Sequence, residues 1–298
     1  MTNQTPDDIK TAYESALAAL KAQKLSGLDS PLPAMMVEEA LHLMEDIFGT
    51  GLDEESISAA FIAALAAGAR RWSHYFTEQH SAAWVHFNKT TEALNGADFV
   101  LIFCGPTRYH CIVAQAKRAP KDSSTQKSLR TDKLKAGQLA AADSELQLSL
   151  AGRPSNLKSM DGHWQLTKLI HTRARVAGKE IKHGAVEYLY SFWYDDGAEP
   201  KVKLLEKITA ELVATQAVPQ PQSVSLEKDV ASLRSHVHGR ISALQDGAGG
   251  TGEHIAELGE LLPVLAAESR GYAVVNFSGY ELAYNPRASK TSKKAFKS

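Results

Sequence analysis

The spacing of apolar positions changes several times along the chain, and each change marks an element. Residues Thr5 to Gln23 are alanine-rich at helical spacing, and Gly27 to Pro33 break the pattern. A second helical stripe runs from Val37 to Phe48 and stops at Gly49 and Gly51. Asp53-Glu54-Glu55-Ser56 opens a third, Ile57 to Phe76, with acidic residues in the first turn, where the helix dipole favours them. The period then shortens: Ala83 to Phe87, Phe99 to Phe103 and Tyr109 to Ala116 read as strands. Helical spacing returns over Lys133 to Leu150 and over Trp164 to Ala177, the latter ended by Gly178. Ala185 to Tyr194 is a strand rich in aromatic and β-branched residues. Pro200 to Gln216, Leu226 to Leu244 and Ile255 to Ala267 read as helices, and Tyr272 to Phe277 as a last strand. Helices, a strand cluster, a helix and a strand in this order predict a mixed α/β fold. Val218-Pro219-Gln220-Pro221-Gln222 cannot continue a helix and is the candidate linker. It divides a domain at 1–216, with its core at about 51–193, from a mainly helical extension at 223–298 that ends in a basic tail.

Within the strand cluster, Asp98-Phe99-Val100-Leu101-Ile102-Phe103 and Tyr109-His110-Cys111-Ile112-Val113-Ala114-Gln115-Ala116-Lys117 flank Gly105-Pro106-Thr107-Arg108. Proline suits the second position of a β-turn, so the two strands form an antiparallel hairpin. A turn centred between Pro106 and Thr107 places Asp98 directly opposite Gln115, on one face of the sheet. Lys117 lies two residues further and projects from that face too. Both faces of the hairpin are otherwise apolar, which predicts a sheet covered on both sides. A carboxylate, an amide oxygen and an ammonium group therefore converge at one end of a buried hairpin. Carboxylate and amide oxygens suit Mg²⁺, and a lysine beside them can orient water or stabilise developing charge.

Composition narrows the classes. Hydrophobic residues make up 44% and charged residues 22% of the 298, the profile of an ordinary globular protein. No apolar run approaches a membrane span, and the polar start MTNQTPDDIK is unlike a secretory signal, so cytoplasmic residence without a membrane partner is expected. Cys104 and Cys111 both lie in apolar runs and read as core. The net charge of -1 disfavours a nonspecific nucleic-acid coat. A local basic surface remains, in Lys117, Arg118, Lys121, Lys127, Arg130, Lys133 and Lys135, with a second in the tail from Lys290 to Lys297.

Asp98 followed after a hairpin by Gln115-Ala116-Lys117 resembles the signature of the PD-(D/E)xK nuclease superfamily, in its variant with glutamine at the middle position. The phrases GADFVLIF and IVAQAKR are similar to those of restriction-endonuclease-like families in bacterial restriction and antiphage defence. The resemblance covers Gly51 to Trp193 and implies a restriction-endonuclease-like mixed central sheet flanked by helices, with helical additions at both ends. It implies a Mg²⁺- or Mn²⁺-dependent endonuclease acting on DNA, with Asp98, Gln115, Lys117 and Glu54 catalytic. Its first helix supplies a further acidic ligand, so Glu54 joins Asp98 and Gln115 as a metal ligand, with Glu55 and Glu92 as alternatives. Gln165 resembles a polar residue placed beside such sites, and with Arg118, Lys121, Lys127 and Arg130 it forms the expected nucleic-acid contacts. A homodimer or other defence-system subunits are the expected protein partners. Gln115 departs from the acidic residue usual at its position and is a weaker, neutral ligand. The alternative is therefore a nuclease-fold module that binds nucleic acid or a partner without cutting.

Other motifs point to structure. Asp246 to Gly252 follows a helix and lacks a phosphate-loop lysine, so it reads as a connection. His236 and His238 are two apart on a helix and do not share a face, which argues against zinc. For Asp98 and Lys117 the competing reading is a structural ion pair at the end of a buried hairpin.

Overall fold

The computed structural model describes residues 32–47, 52–72, 81–87, 96–119, 128–130, 165–194, 198–214, 223–244, 252–265 and 272–275. The strands are β1 (Ser81–His86), β2 (Phe99–Cys104), β3 (Tyr109–Ala119), β4 (Ser128–Arg130), β5 (Gly184–Tyr194), β6 (Lys201–Leu204), β7 (Ser223–Ser225), β8 (Ala231–Ser232) and β9 (Tyr272–Val275). Seven of them make one open sheet in the order β8-β6-β5-β3-β2-β1-β9, and β4 pairs with β7 apart from it. Neighbours run antiparallel except β3 and β5, which are parallel over their whole length. The helices are α1 (Leu32–Ile47), α2 (Glu54–Trp72), α3 (Gln165–Ala177), α4 (Leu205–Ala214), α5 (Leu233–Ser242) and α6 (Glu253–Leu265).

A sheet whose central strands are apolar on both faces must be covered on both, and it is. One face packs Val100, Ile102, Cys111, Val113 and Tyr188 against Leu166 and Leu169 of α3 and Leu258 and Leu261 of α6. The other packs Phe99, Leu101, Ile112, Ala114 and Trp193 against α1, α2 and α5. Phe61 of α2 is the centre of that second layer, its ring 5.8 Å from Phe99 and 5.2 Å from Trp193. Such tilted aromatic pairs add about 0.5–1.5 kcal/mol each beyond the area they bury. Cys104 and Cys111 are buried free thiols, as their apolar surroundings predict. No helix among the described residues is long and apolar enough to cross a membrane.

The hairpin register is the one read from the sequence: Phe99 opposes Ala114, Ile102 opposes Cys111 and Cys104 opposes Tyr109. Gly105 closes the turn by donating to the Arg108 carbonyl at 2.8 Å. Its lack of a side chain matters for packing, since a Cβ there would lie 2.3 Å from the Leu244 carbonyl oxygen.

Several elements differ from the sequence reading, among them strands β4 and β7, where no strand is expected. Lys201–Leu204, expected inside a helix, is strand β6, paired with β5 and β8 and with Val202 and Lys203 buried, and α4 begins only at Leu205. The helix expected from Leu226 begins at Leu233, because Ser232 is extended and its side chain accepts from Ser235 N. The division at the linker does not separate two sheets. β8 extends the sheet beyond β6 and β9 extends it beyond β1, so both edges come from the segment after 222. The expected helices at 5–23 and 133–150, and the linker itself, lie outside the described residues.

Helix α5 is fastened to the sheet through Glu187 of β5. Its carboxylate takes Arg240 Nη2 at 2.8 Å, His236 Nε2 at 2.7 Å and His110 Nε2 at 3.1 Å. Burial alone would raise the Glu187 pKa, but the donors His110, His236 and Arg240 outweigh it and hold the carboxyl well below its ordinary range. A depressed carboxyl stabilises the fold fully above the unfolded carboxylate range, and this stability is lost as pH falls through the folded value. Glu187→Gln should therefore cost about 3 kcal/mol at neutral pH. The gap to wild type should narrow steadily below about pH 4 in urea melts. A gap independent of pH would show that the charge is not what fastens α5.

Candidate active site

Strand β3 outruns β2. The ladder between them ends where Phe99 meets Ala114, so residues beyond Ala114 keep β5 on one side and lose their partner on the other. Backbone donors on that open side need acceptors. Two carboxylates supply them: Asp98 Oδ2 accepts from Ala116 N at 2.5 Å, and Glu54 Oε2 accepts from Arg118 N at 2.9 Å. Gly96, at φ 73, adopts the left-handed conformation just ahead of Asp98. The Asp98 amide then donates to the Ala114 carbonyl at 2.8 Å.

Glu54 arrives from the first turn of α2. Asp53 starts that helix by accepting from Ser56 N at 2.8 Å, and Ser58 Oγ donates back to the Glu54 carbonyl at 3.0 Å. The Glu54 side chain is 30% exposed and pairs through Oε1 with Lys117 Nζ at 2.9 Å. Gln115 immediately precedes the Asp98 contact along β3 and is fully buried. Its Nε2 donates to Asp98 Oδ2 and, at 3.1 Å, to the Ala116 carbonyl, while Oε1 is buried without a hydrogen-bond partner.

The structure thus brings Asp98, Gln115, Lys117 and Glu54 together at one end of the sheet. Of the alternatives to Glu54, Glu55 follows it on α2 with a side chain outside the description, and Glu92 lies outside the described residues. Arg118 contributes its backbone N–H, and its side chain is half-buried. Arg130 belongs to β4 and Gln165 begins α3, but neither side chain is described; Lys121 and Lys127 lie outside the described residues.

The Glu54 carboxylate pairs with the Lys117 ammonium, and Asp98 adds a second carboxylate to the cluster. Among the described residues no group of three or more His, Cys, Asp or Glu is placed to hold a metal ion. The acceptors available here are instead of mixed kind: carboxylate oxygens of Asp98 and Glu54, the Gln115 amide and the Ala116 carbonyl. An all-oxygen set with an orphaned buried amide oxygen fits a hard divalent cation.

Two polar clusters escaped the sequence reading. The register carries the row of Gln115 across the sheet to Tyr190 on β5 and Lys203 on β6. Lys203 is 1% exposed; its ammonium binds Glu211 Oε2 and, at 3.1 Å, the Ser225 carbonyl, while Ser225 N donates to Glu211 Oε1 at 2.7 Å. This pair seats β7, and β7 holds β4, which carries Arg130. The second cluster is Glu187 with its three donors. His236 and His238 do diverge, the first to Glu187 and the second to Glu38 of α1 at 3.1 Å.

A pocket of about 250 Å³ lies at the opposite end of β3, lined by Tyr109, Ile181, Glu257 and Leu261 among others. Two of its polar groups hold the turn before β5: Tyr109 donates to Glu257 at 2.8 Å, and Glu257 accepts from the Lys182 and His183 amides. Burial and this hydrogen bond push the Tyr109 hydroxyl well above its ordinary value, so it stays protonated. No protein-family model and no curated protein matches the chain.

Proposed function

We propose that this chain is a metal-dependent endonuclease of the restriction-endonuclease-like PD-(D/E)xK kind, hydrolysing phosphodiester bonds of DNA in restriction or antiphage defence. The observation that carries the reading is the meeting of Asp98, Gln115, Lys117 and Glu54 at the open end of β3. Asp98 and Gln115, with Glu54 beside them, would hold Mg²⁺ or Mn²⁺, which when bound polarises a phosphate and activates water. The remaining work falls to the chain's own groups. The Ala116 amide fixes the Asp98 carboxylate, so little freedom is lost when it takes up a ligand. Lys117 is a positive group at the rim, held in place by Glu54, and its ammonium can donate to a phosphate oxygen or orient water. The basic residues that follow it, Arg118, Lys121, Lys127 and Arg130, would draw the nucleic-acid backbone toward the site.

The test is cleavage of supercoiled plasmid, single-stranded DNA and RNA by the full chain with Mg²⁺, Mn²⁺ or EDTA. Nicking or linearisation of plasmid that EDTA abolishes is the expected result. A wild-type protein inert on every substrate with either metal overturns the proposal. One observation favours a second reading: both carboxylates already cap strand donors, and Gln115 is neutral. A module of that kind binds nucleic acid or a protein partner without cutting it, and the same assay run beside a DNA-binding titration separates the two.

A further inference from the structure

The Gln115 amide faces away from the orientation that a metal ligand needs. Its NH₂ group bridges Asp98 Oδ2 and the Ala116 carbonyl, the latter at 3.1 Å, and Oε1, the one amide atom able to ligate a cation, is buried and unpartnered. A buried acceptor left unpaired is unfavourable. The arrangement is tolerated because the alternative, with the amide turned over, would set Oε1 against two other oxygens.

We infer that the Gln115 NH₂ group is a built-in competitor for the cation, occupying the space between Asp98 and the Ala116 carbonyl and turning away before a divalent ion is held. This rests on the metal-dependent reading of the site. Rotation about the terminal torsion of a glutamine exchanges nitrogen and oxygen without moving the backbone, because that torsion is broad and roughly twofold. Without a cation the NH₂-inward state satisfies Asp98. With a cation it would direct N–H groups at a positive charge, and the Oε1-inward state wins. The ion binds only the second state, so its apparent affinity falls by the fraction of molecules in that state. A glutamate at this position has two equivalent oxygens and no donor to turn away. It would also set a second negative charge beside Asp98 in the cation-free fold. Gln115 thus exchanges cation affinity for a stable resting site.

The experiment compares full-length wild type, Gln115→Glu and Gln115→Met by calorimetric titration with Ca²⁺, by thermal melting in EDTA, and by NMR of side-chain amides. In EDTA, Gln115→Glu should melt below wild type, and Ca²⁺ should close or reverse the difference. Ca²⁺ should bind Gln115→Glu about ten- to a hundredfold more tightly than wild type. The Gln115 NH₂ resonances, identified by their loss in Gln115→Met, should shift when Ca²⁺ is added to wild type. A Gln115→Glu chain that folds only with Ca²⁺ present is the extreme form of the expected result. Equal melting in EDTA with equal Ca²⁺ affinity overturns the inference while leaving the metal-dependent reading in place, as do NH₂ resonances that stay fixed while the ion binds. Binding by Gln115→Glu alone overturns both the turning amide and wild-type metal-dependent cleavage, since the added charge alone then accounts for the ion. Binding by neither protein overturns both.

Discussion

Lys117→Ala should lower the single-turnover rate of the proposed DNA cleavage by about 10²–10³-fold, the range typical for removal of one donor aimed at developing charge. Stability should change far less. The pair that the substitution breaks is part-exposed, with Lys117 at 13% and Glu54 at 30%, and pairs with such solvent access contribute about 1 kcal/mol or less. Glu54 also keeps its contact with Arg118 N, so no buried group is orphaned. Lys117→Arg should recover little, because a planar guanidinium does not replace a compact ammonium at a fixed point. Cleavage under saturating metal, measured beside thermal melting and DNA binding, separates chemistry from structure. A variant that melts several degrees lower yet cuts within a few-fold of wild type would make Lys117 a structural cation and sink its assigned role.

Glu211→Ala carries the largest expected effect on stability. Lys203 has a side chain at 0% exposure, and its ammonium rests on Glu211 and the Ser225 carbonyl. Removing the carboxylate strands a positive charge in the core and should cost about 3–5 kcal/mol, a large part of the roughly 5–15 kcal/mol that holds a domain folded. The same step frees Ser225 N, so β7 and its partner β4 should loosen first, which hydrogen exchange at Val224 and Leu129 would report. Lys203→Met removes the charge and keeps the bulk. Combined with Glu211→Leu it should return most of the lost stability, since an apolar replacement of a buried pair is often neutral or better. If Glu211→Ala and the double variant lose equal stability in urea denaturation, the cost is one of packing and not of charge.

The central hairpin was legible because local constraints coincide there. Pro106 fixes the turn, the apolar run fixes the length, and together they set Asp98 opposite Gln115 before any coordinates are known. The placement of Glu54 came from the resemblance of its acidic helix start, and its contact with Lys117 and Arg118 spans more than sixty residues. Pairings without a turn left no mark in the sequence. The parallel partnership of β3 with β5 joins segments about 75 residues apart, so nothing local announces that Tyr190 lies beside Gln115. Glu187 finds His236 and Arg240 at separations of 49 and 53 residues. In β6, two lysines in a four-residue run that leads into a helix concealed that one of them points inward.

The borders of the sheet have a consequence for how the protein is made. A ribosome releases β2, β3 and β5 early, while the strands that shut the two flanks, β8 and β9, emerge late. Until then β6 and β1 present bare rows of peptide groups, an invitation to pair with another nascent chain. A polypeptide ended after residue 222 would keep Asp98, Gln115, Lys117 and Glu54 yet leave both flanks of the sheet open, and should aggregate through them.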